Sequence, residues 1–398
     1  MAHLLTARDA ANRMGVKVET IYAYVSRGVL ESHPGPGRAR LFDSRAIETL
    51  ARRGRPRQSS RSTSLNMLIE TGVTSLAADG VRYRGLHNAE LARTQSFEQV
   101  AHLLWLGALD PAHSPWRGGH HPTAPGLDLP NALRVIAAHA LSHAPTEIGR
   151  SADDVAAVGR HLIATMTDSL PKLTARTPQL VLPNGGAPIR SSIAGRLWGK
   201  LSVRAAPSSL LAALNATLVL LADHELAAST LAVRVAASAH ANPFAVVTTG
   251  LGVLSGTLHG GASRPARALL DDALARGAGA AVTALAGTGQ RAPGFGHKVY
   301  AGIDPRAEVL FDLLRQSSGA HRVLTVADDV CTEVRKRFDR EANIDFAMAV
   351  FTQVAAMPPD AAEAIMAISR TSGWLAHAIE EYREVPLRFR PRARYVGP

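Results

Sequence analysis

Cysteine is almost absent from this sequence: Cys331 is the one thiol among 398 residues. A single thiol excludes a disulfide within the chain, which fits a reducing compartment. Cys331 lies in a helical pattern, where a buried apolar role is the simplest interpretation. The chain also lacks a basic-then-apolar leader and any apolar run of about 18 residues, so the sequence predicts neither secretion nor a membrane span. We therefore expect a soluble cytoplasmic protein.

Lysine is scarce and arginine is common, so the formal net charge of +11 is mostly fixed guanidinium charge. Such a balance is typical of proteins that bind nucleic acid or anionic substrates, for example dicarboxylates and CoA phosphates. Residues 1–61 carry twelve Arg or Lys and five Asp or Glu, an excess of +7. Most of the positive excess therefore lies in the first sixth of the chain. The length and the hydrophobic content of 46% suffice for a sizeable core.

The first residues have the pattern of a small helical unit. Residues 6–9 have the form of a capping box, and helices are predicted over 7–14 and 18–25 with a break at Gly15. A wing strand over 38–43 and a third helix capped by Ser44 would follow. The apolar positions expected to form a small core are Ala10, Met14, Val16, Ile21 and Val25.

This arrangement resembles the winged helix-turn-helix DNA-binding domains of the MerR or excisionase type, whose second helix enters the major groove. The resemblance implies that the side chains reaching DNA are Lys17, Thr20, Tyr22, Tyr24 and Arg27. The alternative is that this unit packs against the rest of its own chain or against a protein partner and does not bind DNA. Residues 54–64 are a basic linker by composition, and Gly54-Arg55-Pro56 in it also resembles an AT-hook core.

From Asn66 onward the apolar residues recur at helical spacing, and alternating strand patterns are nearly absent. Ser96 is expected to cap one of these helices. Residues 111–130 form a loop rich in Pro, Gly and His. Its histidines, His113, His120 and His121, have no second ligand set at matching spacing, so we predict a surface loop and no metal.

Two histidines of the second half stand among glycines. The first lies in LHGGA (258–262), and the second in GFGHKVY (294–300), which is followed by DPR (304–306). Glycine lets a backbone approach a ligand closely. A histidine beside it can hydrogen-bond a substrate and move protons near neutral pH. The arginine fork can hold a carboxylate through two parallel bonds.

Three further segments occur in the same chain: ADHELAAST (222–230), NIDF (343–346) and RTSGWLAH (370–377). Together the five segments resemble the citrate synthase family, and the resemblance covers roughly residues 64–398. It implies a mainly α fold with a large and a small helical domain, a cleft between them, and a homodimer with shared active sites. It also implies a short β-hairpin over 73–85 at the start of this region. The expected division is helix-turn-helix 1–53, linker 54–64, large domain 65–259 with 367–398, and small domain 260–366.

The reaction that this resemblance implies is condensation of an acyl-CoA with oxaloacetate, followed by thioester hydrolysis. An acetyl methyl group is a poor acid, so enolisation needs a base on the methyl and a donor on the thioester oxygen. By resemblance Asp345 is the base, His259 is the donor, and His297 polarises the ketone of oxaloacetate and later helps to activate water. Neither a metal nor another cofactor is implied beyond the two substrates.

By the same resemblance, oxaloacetate is held by His224, Arg306, Arg370 and, from the other subunit, Arg390. The loop expected to hold the adenine end of CoA comprises Arg291, Pro293, Gly294, Phe295 and Gly296. His224-Glu225 begins like a zinc-protease helix, but Ala228 stands where the second histidine would be.

The sequence departs from the family pattern at Ala347-Met348-Ala349 and at Lys298, where arginine is usual. Neither departure removes a proton-transfer group, but both bear on the choice of acyl chain. Use of propionyl-CoA, as in 2-methylcitrate synthases, is therefore an open alternative. A third hypothesis is a transcription regulator whose synthase-like part senses metabolites.

Overall fold

The computed structural model describes residues 4–14, 16–35, 39–44, 46–47, 68–77, 80–110, 114–174, 176–185, 187–300, 302–391, 393, 395 and 397, without the side chains of 12–14. The chain forms two compact units, residues 1–70 and residues 71–398. The predicted linker 54–64 lies outside the described residues. The division of residues 65–398 into a large and a small domain stays a prediction.

The described part of the N-terminal unit contains a small sheet and two helices. The strands are β1 (Leu4–Thr6), β2 (His33–Pro34) and β3 (Arg40–Asp43), and the helices are α1 (Ala7–Met14) and α2 (Val18–Ser26). The sheet is antiparallel in the order β1-β3-β2, with Leu5 opposite Phe42. The predicted helices over 7–14 and 18–25 and the wing strand are confirmed, whereas most of the third helix predicted after Ser44 lies outside the described residues. Sequence analysis missed β1, because three residues are too short to show an alternating pattern.

The start of α1 is capped as predicted. The backbone N–H of Asp9 donates to Thr6 Oγ1 at 3.2 Å, and the Thr6 hydroxyl donates to the Asp9 carboxylate at 2.7 Å. Ala10 and Ile21 are fully buried in the small core, with Val16 and Val25 packed against it. The side chain of Met14 lies outside the described part of the chain. Core residues that the sequence analysis did not single out are Leu5, Ala11, Leu30, Phe42 and Ile47.

The second unit opens with the predicted hairpin and is otherwise helical. Its strands form one antiparallel sheet in chain order: β4 (Thr74–Ala77), β5 (Gly80–Tyr83) and β6 (Leu86–His87). The helices that follow are α3 (Asn88–Thr94), α4 (Phe97–Leu106), α5 (Leu129–Ser142), α6 (Ala152–Ser169), α7 (Ile193–Leu201), α8 (Ser208–Leu221), α9 (Ala228–Ser238) and α10 (Pro243–Leu254). After the short 3₁₀ helix Gly260–Ala262 come α11 (Ser263–Arg276), α12 (Ala278–Gly287), α13 (Pro305–Arg315), α14 (His321–Phe338), α15 (Ile344–Val354) and α16 (Ala361–Glu381).

Helix α4 begins where the sequence predicts. The Ser96 hydroxyl accepts from the backbone N–H of Gln99 at 3.3 Å, and the Gln99 side chain accepts from the backbone N–H of Ser96 at 3.0 Å. This reciprocal capping box satisfies two amides that the helix itself leaves free. At the other end Gly107 adopts φ 81°, which closes the helix in the left-handed conformation.

Helix α16 is the centre of the second unit. It packs against α4, α5, α6, α8, α9 and α10. Its residues are buried on all sides, which explains why its sequence is apolar or small almost throughout. The polar side chains that it does carry, Arg370 and His377 among them, are therefore buried and need partners.

The histidine-rich stretch is a loop, as predicted, in the part that the structure describes. His120 is exposed, and His121 stacks near His139 and His143 at the end of α5, with ring centroids 5.5 and 5.8 Å away. His113 lies outside the described residues. Among those residues there is no group of three or more His, Cys, Asp or Glu that could hold a metal ion. None of the described helices is both long and apolar enough to cross a membrane.

Candidate active site

A cleft of about 500 Å³ in the second unit gathers most of the predicted site. The predicted residues that line it are His224, His259, His297, Arg306, Asp345 and Arg370. They come from six separate places in the chain, so the fold brings together what the sequence keeps apart. Arg390, the seventh, is exposed in the C-terminal segment and does not line this cleft.

Asp345 sits in the first turn of α15, where the side chain of Asn343 fixes the backbone through two hydrogen bonds. Asn343 caps the helix by accepting from the Asp345 N–H at 2.9 Å, and it donates to the carbonyl of Gly296 at 2.9 Å. Burial raises the pKa of Asp345 from its ordinary 3.8 to about 6, against the opposing effect of Arg306. A carboxylate with such a pKa is suited to take a proton from carbon near neutral pH.

Arg306 is held by Asp304, the first residue of the DPR segment. The carboxylate accepts from Arg306 Nε at 3.0 Å and from Nη2 at 2.7 Å, a two-point pair with both partners buried. Burial alone would raise the pKa of Asp304, but the charge and hydrogen bonds of Arg306 hold it below its ordinary value. Asp304 also accepts from the N–H of Ile344 at 3.2 Å. One carboxylate thus ties the candidate oxaloacetate arginine to the helix that carries Asp345.

Arg370 lies in the middle of α16 and is 1% exposed. Its Nε donates to the carbonyl of Leu221 at 2.8 Å. Its Nη1 has no hydrogen-bond partner among the described residues. Buried donors are rarely left unpaired in proteins, and the residue that carries this nitrogen lines the cleft.

His224 and His297 meet edge to face, with ring centroids 5.3 Å apart. Burial, then the charges of Arg306 and Arg370, hold the pKa of His224 far below its ordinary value. Burial and Arg306 also lower the pKa of His297. Nδ1 of His297 accepts from the backbone N–H of Val299 at 3.0 Å, so the ring proton is assigned to Nε2. His297 is thereby a neutral donor.

His259 is oriented by two residues that the sequence analysis did not assign. Trp374 Nε1 donates to Ser229 Oγ at 3.1 Å, and Ser229 Oγ lies 2.7 Å from His259 Nε2. An indole N–H only donates, so Ser229 Oγ accepts from Trp374 and keeps its own proton available for Nε2. With the Ser229 proton assigned to Nε2, the His259 proton is on Nδ1. Burial, then Arg370, lower the pKa of His259 to about 4. His259 is therefore also a neutral donor.

Tyr300 is a further group that the sequence analysis quoted without a role. Its hydroxyl lies 3.2 Å from His224 Nε2, and its ring stacks on His297 with centroids 4.7 Å apart. It thus links the two histidines. Ser229, Tyr300 and Trp374 lie in the quoted segments AAST, GFGHKVY and SGW. Their roles were missed because the contacts of Ser229 with Trp374 and of Tyr300 with His224 join positions far apart in sequence.

The predicted CoA loop borders a second cavity, of about 750 Å³. Arg291, Phe295 and Gly296 line it, whereas Pro293 and Gly294 do not. Gly294 has φ 81°, and a Cβ there would lie 2.8 Å from the Cβ of Phe346. Its role is therefore to let the loop pass close to α15.

In the N-terminal unit, the candidate DNA contacts lie on or just beside α2. Lys17, Tyr22 and Arg27 are exposed and Thr20 is partly exposed. Tyr24 is partly buried and packs against the small core. Four of the five side chains therefore remain accessible in that unit without repacking its core.

Comparisons with known proteins agree with this geometry. Residues 65–392 match the family model described as citrate synthase, C-terminal domain, and residues 4–55 match a helix-turn-helix domain. A citrate synthase of Haloferax volcanii is 30% identical over 343 residues, which span 79% of this chain and 89% of that protein. A 2-methylcitrate synthase of Corynebacterium glutamicum is 26% identical over 348 residues, 80% of this chain and 90% of that one.

Among solved structures, citrate synthase of Thermoplasma acidophilum in ternary complex with carboxymethyl coenzyme A and oxaloacetate superposes with a TM-score of 0.65. The identity is 25%, and the match covers 85% of this chain and 96% of that chain. The chain belongs to the citrate synthase family. Its fold is that of a citrate synthase-type condensing enzyme, with a helix-turn-helix domain at its N-terminus.

The raised pKa of Asp345 predicts a stability cost that depends on pH. Between the ordinary pKa of 3.8 and about 6 the folded state retains a proton that the unfolded state loses, so stability falls as pH rises through this window. Asp345→Asn should remove this cost. We expect the variant to be more stable than the parent by at most about 3 kcal/mol near pH 7.5 and no more stable near pH 4, as measured by denaturant unfolding.

The matched control is Asp329→Asn, an exposed aspartate on α14, which should leave unfolding unchanged at both pH values. Equal stabilities of the parent and Asp345→Asn near pH 7.5 would show that the burial of Asp345 carries no such cost.

Proposed function

We propose that this enzyme condenses acetyl-CoA with oxaloacetate to give citrate and CoA, the reaction that feeds the tricarboxylic acid cycle. The single observation that carries the proposal is one cleft that holds Asp345, with its raised pKa, together with the neutral His259 and the buried Arg306 and Arg370. A base, a neutral donor and two fixed cations are what enolisation beside a dicarboxylate requires.

In the proposed reaction Asp345 takes a proton from the acetyl methyl while His259 Nδ1–H donates to the thioester oxygen. The resulting enol carbon forms a bond to the ketone carbon of oxaloacetate, and His297 Nε2–H donates to the ketone oxygen as it gains charge. Water then cleaves the thioester, releasing CoA and citrate. The acyl group becomes an alkyl group on transfer, which makes the enzyme an acyltransferase. Neutral histidines suit this path because each can donate without first being charged.

The dicarboxylate would be held by His224, Arg306 and Arg370. Support comes from Arg370 Nη1, a buried donor without a partner among the described residues. A carboxylate there would satisfy the nitrogen and compensate its charge. Arg291, Phe295 and Gly296 would border the adenine end of CoA in the neighbouring cavity.

A thiol-release assay tests the reaction. We expect oxaloacetate-dependent CoA release with acetyl-CoA, and Asp345→Asn should lower kcat roughly 10²–10⁴-fold, the usual contribution of a positioned base. Asp329→Asn serves as the control and should retain the parental kcat. Turnover of Asp345→Asn within about threefold of the parent would remove Asp345 from the role of base.

Propionyl-CoA is the second substrate in the same assay, because relatives of both kinds match this chain. One methylene changes binding in an apolar pocket by only about 1–3 kcal/mol. A higher kcat/KM with propionyl-CoA would reassign the enzyme as a 2-methylcitrate synthase. No CoA release with either substrate would favour a DNA-binding regulator whose synthase-like unit senses metabolites.

We further propose a homodimer in which Arg390 completes the site of the other subunit, since it is exposed and away from the cleft of its own chain. Mixing Arg390→Ala chains with Asp345→Asn chains should then restore activity, because each hybrid dimer holds one intact site. About a quarter of the parental activity is expected after random exchange. As a control, Arg306→Ala mixed with Asp345→Asn should restore none, since both groups serve the same chain's cleft. Equal results for the two mixtures, with exchange verified, would contradict a shared site.

The N-terminal unit is proposed to bind DNA. With an excess of +7 in residues 1–61, most of the affinity should come from phosphates, with a log–log salt slope of about −0.9 per neutralised phosphate. Gel shifts on genomic fragments at about 50 and about 200 mM salt should show steep loss of binding. Removing residues 1–61 should abolish binding and leave CoA release unchanged. Absence of binding by the full chain at low salt would favour a packing role instead.

A further inference from the structure

A continuous run of buried polar and charged groups borders the candidate oxaloacetate site and has no part in the proposed chemistry. Its members are Asp223, His377, Arg234 and Glu381, each at most 1% exposed. Buried ion pairs are weak evidence for stability, because apolar residues of similar volume often stabilise a fold as well or better. A role beyond stability is therefore to be sought in what these groups hold in place.

The central contact fixes the proton of His377. Arg234 Nε and Nη2 lie 3.1 and 2.9 Å from His377 Nδ1, and His377 Nε2 lies 3.2 Å from Asp223 Oδ2. A guanidinium group only donates, so Nδ1 accepts and the ring proton is on Nε2. His377 therefore donates to Asp223, and the direction of the chain is Arg234 to His377 to Asp223.

Asp223 in turn fixes the turn that carries His224. The same oxygen, Oδ2, accepts from the backbone N–H of Glu225 at 3.1 Å. Glu225 has φ 54°, a left-handed conformation that a residue with a Cβ adopts at a cost of about 1 kcal/mol. The carboxylate thus stabilises a strained turn, and that turn sets the direction of His224. Gly373 makes room for it, because a Cβ there would lie 2.4 Å from Asp223 Oδ1.

The other end of the run is anchored to two chain segments. Arg234 pairs with Glu380 and with Glu381, the latter at 3.0 Å. Glu380 accepts from the Thr71 hydroxyl and the Gly72 N–H, both at 2.8 Å. Glu381 accepts from Arg388 Nε and Nη2, both at 2.7 Å. Glu380 and Glu381 therefore fix the guanidinium group of Arg234 that donates to His377.

We propose that His377 is a positioning residue for oxaloacetate binding: through its Nε2–H it holds Asp223, which holds the Glu225 turn and so aims His224 into the cleft. This inference rests on the proposed function, because it assigns His224 to oxaloacetate. It predicts that the hydrogen bond to Asp223, and not the one to Arg234, carries the effect on substrate.

Two amide variants separate the two hydrogen bonds. His377→Gln places an amide N–H near the position of Nε2 and can still donate to Asp223. His377→Asn places its amide near Nδ1, within reach of Arg234 but short of Asp223. Both are polar and uncharged, so they differ mainly in which partner they keep. Three quantities are measured on the purified full-length protein. They are the oxaloacetate KM by thiol release, the oxaloacetate Kd by calorimetry and the temperature of thermal unfolding.

We expect His377→Asn to raise the oxaloacetate KM and Kd by about 10–100-fold, as for a misplaced binding group, with the acyl-CoA KM within about twofold. His377→Gln should stay within about threefold of the parent in both. Ile379→Ala, a buried apolar change on the same helix, should lower the unfolding temperature without altering the oxaloacetate KM. It serves as the reference for a purely structural effect.

Equal oxaloacetate affinities for the Asn and Gln variants would overturn the proposal. The proposal would also be overturned if Ile379→Ala, at a similar drop in unfolding temperature, lost as much oxaloacetate affinity as His377→Asn. If His377→Asn does not fold, Asp223→Asn provides the second test. Its amide can present a nitrogen to the Glu225 N–H, and we expect the same rise in oxaloacetate KM; an unchanged KM would again refute the proposal. If the parent protein neither binds oxaloacetate nor releases CoA, the proposed function itself is wrong. If the parent is active but the variants bind oxaloacetate as the parent does, only the role of His377 is refuted.

Discussion

Burial of two guanidinium groups in one cleft is the constraint on which the site depends. Arg306 and Arg370 are 4% and 1% exposed, and a buried charge is costly unless it is paired and hydrogen-bonded. Asp304 compensates Arg306 with two hydrogen bonds, while Arg370 is held by the carbonyl of Leu221 and by the field of Asp223. The protein can therefore keep two fixed positive charges where a dicarboxylate would lie.

That positive field determines what the histidines can do. Burial is the main cause of the low pKa values of His224, His259 and His297, and the arginines lower them further. A neutral imidazole has one N–H, so its use depends on which nitrogen carries the proton. Backbone amides decide this for His297. For His259 the proton is assigned to Nδ1, with the Ser229 hydroxyl donating to Nε2. Electrostatics and tautomer choice together are consistent with the role of proton acceptor proposed for Asp345.

Local signals predicted local structure well. The caps at Thr6 and Ser96 follow from side chains within a few residues of one another, whereas the β4–β5 hairpin came from the family resemblance. The motifs also predicted the six residues that line the cleft. They could do so because a family resemblance carries information on tertiary structure, whereas the spacing of residues in one sequence does not. The Trp374–Ser229 and His377–Asp223 contacts join residues 145 and 154 positions apart. No periodicity or propensity reports such pairs, which exist only after the helices have packed.

Helix α16 places Arg370, Trp374 and His377 at intervals of four and three residues, and therefore along one face. Arg370 lines the cleft, Trp374 donates to Ser229 Oγ, and His377 donates to Asp223. A single inserted or deleted residue within this stretch would rotate everything beyond it by about 100° and would break these contacts together. The length of the segment between Arg370 and His377 is therefore fixed by the geometry of three separate contacts.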